Sequence, residues 1–104
     1  MTDKLKDMLL EIAGLTVFDP KDLVRRCLKL TEEVGELAQA ILSMEGTCEY
    51  KGLGIDQVNE ELADVLLVLV SIILQANGGD VNKVLDLVPG KLAKWRRILG
   101  VEES

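Results

Sequence analysis

A chain of 104 residues has room for one small domain around one modest core, and a chain this small often needs partners or staples to stabilise it. Its 48% hydrophobic content excludes a disordered chain, and with only Phe18, Tyr50 and Trp95 as aromatics that core must be aliphatic. The net charge of −6 argues against a nucleic-acid groove reader, which needs a basic surface, but not against a small phosphorylated molecule whose charge a metal neutralises locally.

The pattern contains helices and no strands. Leu5, Met8, Leu9 and Ile12 stand at helical spacing, so a first helix is expected over about Thr2 to Leu15, with Thr2 as N-cap. A break follows at Thr16 to Asp19. Asp19-Pro20 then reads as a helix start, an acidic cap followed by proline in the first turn. The second helix should run from about Pro20 to Met44 on an apolar stripe of Leu23, Cys27, Leu30, Val34, Leu37, Ala38 and Ile41. The segment from Gly46 to Gly54 carries three glycines and reads as a loop. A third helix is expected over about Asp56 to Asn77, ended by Gly78-Gly79. Asp80 should cap a short fourth helix through about Leu87. Pro89-Gly90 should then interrupt the chain before a last basic helix from Lys91 to Leu99, stopped by Gly100.

The expected fold is therefore all-α, an antiparallel helical bundle of four to five helices within a single domain spanning residues 1–104. At about 100° per residue, Gln57, Glu60, Glu61, Asp64, Ser71 and Gln75 fall in one strip of the third helix. Nearly everything else around that helix from Leu62 to Leu74 is aliphatic. A helix apolar over most of its circumference must be covered on several sides, so completion of the bundle by a homo-oligomer is expected. The most apolar stretch, Val65 to Leu74, is ten residues long and too short to span a bilayer. Met1 to Asp7 is mostly polar with no small-residue cleavage site behind it, so the cytoplasm is the default compartment. Cys27 and Cys48 form no CxxC pair and are expected to be one buried thiol and one loop thiol.

Glu33 and Glu36 are three residues apart on the second helix, and Glu61 and Asp64 are three apart on the third. That spacing puts each pair on one side of its helix, one turn apart. If the helices pack antiparallel, the pairs can face each other around one small volume. Four close carboxylates raise one another's pKa unless a cation sits between them, and hard oxygen ligands in this number suit Mg²⁺ or Mn²⁺. A solvated acidic face is the competing account, because Glu33 lies at the edge of the apolar stripe and Glu36 well off it. Asp64 weighs the other way, since a carboxylate beside Val65-Leu66-Leu67-Val68-Leu69-Val70 is costly without a partner.

The chain contains no histidine. That removes Glu-x-x-His di-iron sites, the usual zinc sites and any histidine base for a serine or cysteine nucleophile. No GxxxxGK[ST] loop is present either. Metal-assisted attack by water is the chemistry this inventory supports.

Glu32-Glu33-Val34-Gly35-Glu36, followed by Glu61-Leu62-Ala63-Asp64, resembles the EExxE…ExxD signature of the MazG-like all-α nucleoside triphosphate pyrophosphohydrolases. The flanking Leu37-Ala38 and Glu60, Val65 and Leu66 fit as well, and the similarity covers about Asp22 to Arg97. The resemblance implies Mg²⁺ bound by Glu33, Glu36, Glu61 and Asp64. It also implies hydrolysis between the α and β phosphates in a nucleotide-pool house-cleaning role, by a homodimer or homotetramer. Glu32 or Glu33 would be the base, unless Glu32 is only a solvated neighbour. Lys91 matches a lysine that often follows the last loop in this family, and Lys94, Arg96 and Arg97 lie near it. These cations, with Lys51 in the loop, are candidates to grip the pyrophosphate, against the alternative of favourable charge near a helix C-terminus. The chain departs from relatives in having Trp95 where an asparagine is common and Val68 where several have an aromatic, so the base-stacking residues are not identified. Trp95 is expected to anchor a core, with base stacking as the alternative. Phosphoribosyl-ATP or dUTP hydrolysis within the superfamily, and a non-catalytic helical oligomerisation or regulatory module, are the competing functions.

Overall fold

The computed structural model describes residues 3–46 and 54–101, and every regular element among them is a helix. In chain order these are α1 (Asp3–Phe18), α2 (Leu23–Met44), α3 (Ile55–Ala76), α4 (Asn82–Leu85) and α5 (Val88–Leu99). Thr2, Cys48 and Lys51 lie outside the described residues. No helix among those described is long and apolar enough to cross a membrane.

The boundaries around Pro20 differ from the sequence expectation, each for a local reason. The first helix continues through the expected break: the Thr16 hydroxyl donates to the Ile12 carbonyl at 2.7 Å and stays inside the helix instead of opening a turn. The helix ends at Phe18 because Pro20 biases Asp19 away from helical geometry. Asp19 does not cap α2. Its carboxylate accepts the Lys21 backbone N–H at 3.0 Å, a bond that holds its pKa below the ordinary carboxylate value. Asp22 is the cap, accepting the Arg25 backbone N–H at 2.9 Å and the Arg25 guanidinium at 2.9 Å. Both acids precede a plausible first turn. The geometry of Pro20 decides between them.

At the other end, α3 stops at Asn77, and Gly78 and Gly79 follow at φ 61° and 90°, where a side chain would be strained. The Asp80 carboxylate accepts the Asn82 backbone N–H at 3.0 Å ahead of α4, which closes at Leu85, short of the expected Leu87. Pro89-Gly90 opens the last helix and does not interrupt it. Proline in the first turn gives up an N–H that has no helical partner there.

α3 is the spine. α2 packs along it and α1 packs beside it, whereas α5 has its substantial packing against α4 alone. The α2–α3 pair is antiparallel: Gln75 near the end of α3 donates to the Lys21 carbonyl just before α2, at 3.1 Å, while Glu33 in mid-α2 meets Glu61 and Asp64 in the first half of α3. The line of α2 that meets α3 is Arg26, Leu30, Glu33, Leu37 and Ala40, with Arg26, Glu33 and Ala40 buried. Leu30 and Leu37 of the expected stripe are on this line, whereas Cys27, Val34 and Ile41 give way to Arg26, Glu33 and Ala40, each one position earlier. Cys27, Val34 and Ile41 stay exposed, which corrects the expectation of a buried Cys27 thiol. Glu33 moves from the edge of the stripe to the middle of the contact.

Among the described residues the buried hydrophobic ones are Ala40, Val58, Val70 and Leu74, none of them aromatic. The radius of gyration is 16.6 Å, against about 13 Å for a compact chain of this length. Trp95 is 61% exposed on α5 and anchors no core within this chain. The Asp22 cap is the best-defined local device in this arrangement. Replacing it, Asp22→Ala, is expected to cost about 1 kcal/mol, seen as a fall in Tm of about 4–8 °C in a thermal melt.

Candidate metal centre

α2 delivers Glu33 into its contact with α3, and α3 returns Glu61 and Asp64 from consecutive turns. One carboxylate oxygen from each of Glu33, Glu61 and Asp64 lies within 4.8 Å of the others. Glu33 is only 6% exposed, Glu61 is half-buried and Asp64 is open to solvent.

The two buried carboxylates are held in the same way. Lys29, one turn before Glu33 on α2, places its Nζ 3.0 Å from Glu33 Oε1. Gln57, one turn before Glu61 on α3, donates from Nε2 to Glu61 Oε1 at 2.8 Å. In each residue the other oxygen, Oε2, is buried with no hydrogen-bond partner. A buried charged oxygen left unpaired is strongly unfavourable. With these two glutamates and Asp64 each offering an oxygen within 4.8 Å of the others, a divalent cation placed there would satisfy what the protein does not. The donor set, carboxylates alone, suits a hard ion such as Mg²⁺ and not zinc.

Glu36 is exposed and stands outside the tight trio. Its pKa is nevertheless raised, first by the negative charge of Glu33, then by loss of hydration, then by the negative charge of Glu61. It therefore belongs to the same electrostatic unit. Lys29 responds in the opposite sense, its ammonium favoured by hydrogen bonds to Glu33 and to Glu32, which lies 3.3 Å away. Glu32 is on the solvent side, shared with that lysine. The acidic residues singled out in the sequence are thus brought together, Glu36 at the margin.

The cationic candidates are placed differently. Lys91 and Lys94 are exposed on α5, which does not pack substantially on α2 or α3, so helix packing within the chain does not bring them to the acids. The sequence reading did not single out Lys29, and it put Gln57 on the polar strip of α3 without giving it a role. Each sits four residues before a cluster glutamate, a spacing that signals same-face neighbours.

Next to the acids lies a cavity of about 250 Å³ between α1, α2 and α3. Its walls are Ile12, Leu15, Leu67 and Val68, with Arg26 and Lys29 among its polar residues. Leu67 and Val68 are about one helical turn beyond Asp64, and Lys29 lines the cavity while also pairing with Glu33, so the cavity adjoins the acidic cluster through that lysine.

The raised pKa of Glu36 has a definite sign in stability. A carboxyl that binds its proton more tightly when folded contributes stability below its unfolded value of about 4.5, lost as pH rises through the higher folded value. In chelator, Glu36→Gln should therefore raise Tm at pH 7, where the ionised group is repelled by Glu33 and Glu61. The gain should fade as pH falls toward 4.5, and thermal melts across pH 4 to 8 measure it.

Residues 23–97 match the MazG nucleotide pyrophosphohydrolase domain, a span that takes in both acidic helices, the cavity wall on α3 and most of α5. No curated protein and no solved structure matches the chain. With both acidic pairs inside a match that covers well over half of its length, the chain belongs to the MazG nucleotide pyrophosphohydrolase family.

Proposed function

We propose that this protein hydrolyses a (deoxy)nucleoside triphosphate to the monophosphate and pyrophosphate, with Mg²⁺ held by Glu33, Glu36, Glu61 and Asp64. The observation that carries the proposal is the pair of buried, partnerless Oε2 atoms on Glu33 and Glu61, two residues that with Asp64 each bring a carboxylate oxygen within 4.8 Å of the others. Mg²⁺, or Mn²⁺ in its place, supplies charge neutralisation and orientation of the phosphates when bound there.

The chain's own residues supply the rest. Lys29 and Gln57 fix one oxygen of each buried glutamate, so the remaining oxygens are set before substrate arrives. A carboxylate of the cluster accepts the proton of the attacking water as the water's oxygen bonds to the α-phosphorus and pyrophosphate leaves. The cavity one turn along takes the nucleoside between the aliphatic walls of α1 and α3 and excludes water from it. Lys91, Lys94 and Lys51 are assigned to the leaving pyrophosphate. The working form is a cytoplasmic homodimer or homotetramer, and its role is removal of unwanted nucleotides from the pool.

A pyrophosphate-release assay over a panel of ribo- and deoxyribonucleoside triphosphates with Mg²⁺ tests this directly. Glu36→Gln and Asp64→Asn should each lower kcat by more than about a hundredfold, beyond the loss typical of outer-shell partners of a metal. Their circular dichroism should stay helical. Either variant working near the wild-type rate removes the assignment.

A further inference from the structure

Arg26 is buried in the wall of the cavity between α1, α2 and α3, only 5% exposed. Its Nη2 donates to the carbonyls of Thr16 at 3.2 Å and Asp19 at 3.3 Å, and so ties the end of α1 to α2. It forms no ion pair among the described residues, and its Nε has no hydrogen-bond partner there. A guanidinium does not lose its proton in a protein, so burial cannot neutralise it. A buried charged donor left unmet is strongly unfavourable.

The other polar side chains of this wall are already engaged. The Thr16 and Ser71 hydroxyls donate to the Ile12 and Val68 carbonyls at 2.7 Å each. Lys21 pairs with Asp19, and Lys29 with Glu32 and Glu33. What remains is one positive donor among aliphatic walls. A single donor does not suit a phosphate, which brings several charged oxygens. It suits a flat, neutral heterocycle with a strong acceptor at its edge. At about 250 Å³ the cavity is small beside the roughly 300–1,000 Å³ that holds a whole drug-sized ligand, so its room is for a base without its phosphates. Glu33 stands two turns beyond Arg26 on α2, about 10 Å along the axis, a gap that leaves space for the sugar.

We infer that Arg26 selects the base: its Nε donates to a carbonyl oxygen, so the cavity takes guanine, cytosine, uracil or thymine and discriminates against adenine. This rests on the nucleotide reading of the metal centre and adds to it the class of base. Adenine has no carbonyl. Its N1 and N7 accept hydrogen bonds, but both adjoin the N6 amino group, which brings a donor against a guanidinium that only donates. No aromatic side chain lines the cavity among the described residues, so stacking on a ring does not compensate. A base that fails to meet a buried donor leaves it unpaired in the complex, and the penalty is correspondingly large.

The test titrates the wild-type chain, in Mg²⁺, with the α,β-methylene analogues of inosine and adenosine triphosphate. These share a purine and differ in carrying an oxo or an amino group at its position 6, with the N1 proton that the oxo form brings. The inosine analogue should bind about tenfold more tightly or better, as expected for a hydrogen bond to a charged group. Arg26→Met should abolish this ratio by weakening the inosine analogue alone. The wild-type ratio needs no substitution, so it decides the question even if Arg26→Met loosens α1. Equal wild-type affinities, the result expected if water satisfies Nε, overturn the inference, as does a ratio that survives in a helical Arg26→Met variant. Both outcomes leave the hydrolase reading standing. Failure of either analogue to bind at all counts against that reading and takes this inference with it.

Discussion

Burial of the Glu33 carboxylate in the α2–α3 contact is the constraint on which the rest of this molecule depends. A helix pair with a small aliphatic core would ordinarily place a leucine there. Here a charge occupies the centre of the packed line, six per cent exposed, opposite a second half-buried glutamate. Such an arrangement is tolerable only if each oxygen has a partner. The chain provides half of them, through a lysine and an amide one turn back on each helix, and leaves the other half without a partner from the protein. The folding of α2 onto α3 and the binding chemistry are therefore one problem: the same contact that forms the core creates the site.

This explains the modest core. The contact line of α2 carries Arg26 and Glu33 among its buried positions, so α2 and α3 gain less from hydrophobic burial than two helices of their length could. The aliphatic residues displaced from that line, with the unused side of α3, are turned outward. A chain more extended than its length requires, with leucines exposed along two faces, gives up internal closure so that its centre can be polar.

Much of this was legible in the residues. The lengths of α2 and α3 followed from periodicity, their antiparallel pairing from a short connection, and the glycine stop after α3 from backbone chemistry. Glu33, Glu61 and Asp64 were identified by spacing, and the structure brings them within reach of one ion. What escaped was decided by competition between equivalent local signals. Asp19 and Asp22 both look like caps, and only the backbone around Pro20 separates them. The expected stripe of α2 shares Leu30 and Leu37 with the contact line, but its Cys27, Val34 and Ile41 lie one position from Arg26, Glu33 and Ala40, because a hydrophobic pattern does not register a charge buried among apolar positions. The supporting roles of Lys29 and Gln57 became visible only once Glu33 and Glu61 were known to be buried.

The loose attachment of α5 has a practical consequence. It carries the only tryptophan of the sequence, Trp95, in a largely hydrated setting on a helix that packs chiefly on its short neighbour. An indole in water emits at longer wavelength than one in an apolar contact. The protein therefore contains a native fluorophore whose colour would shift toward the blue if this helix became covered, with no label added.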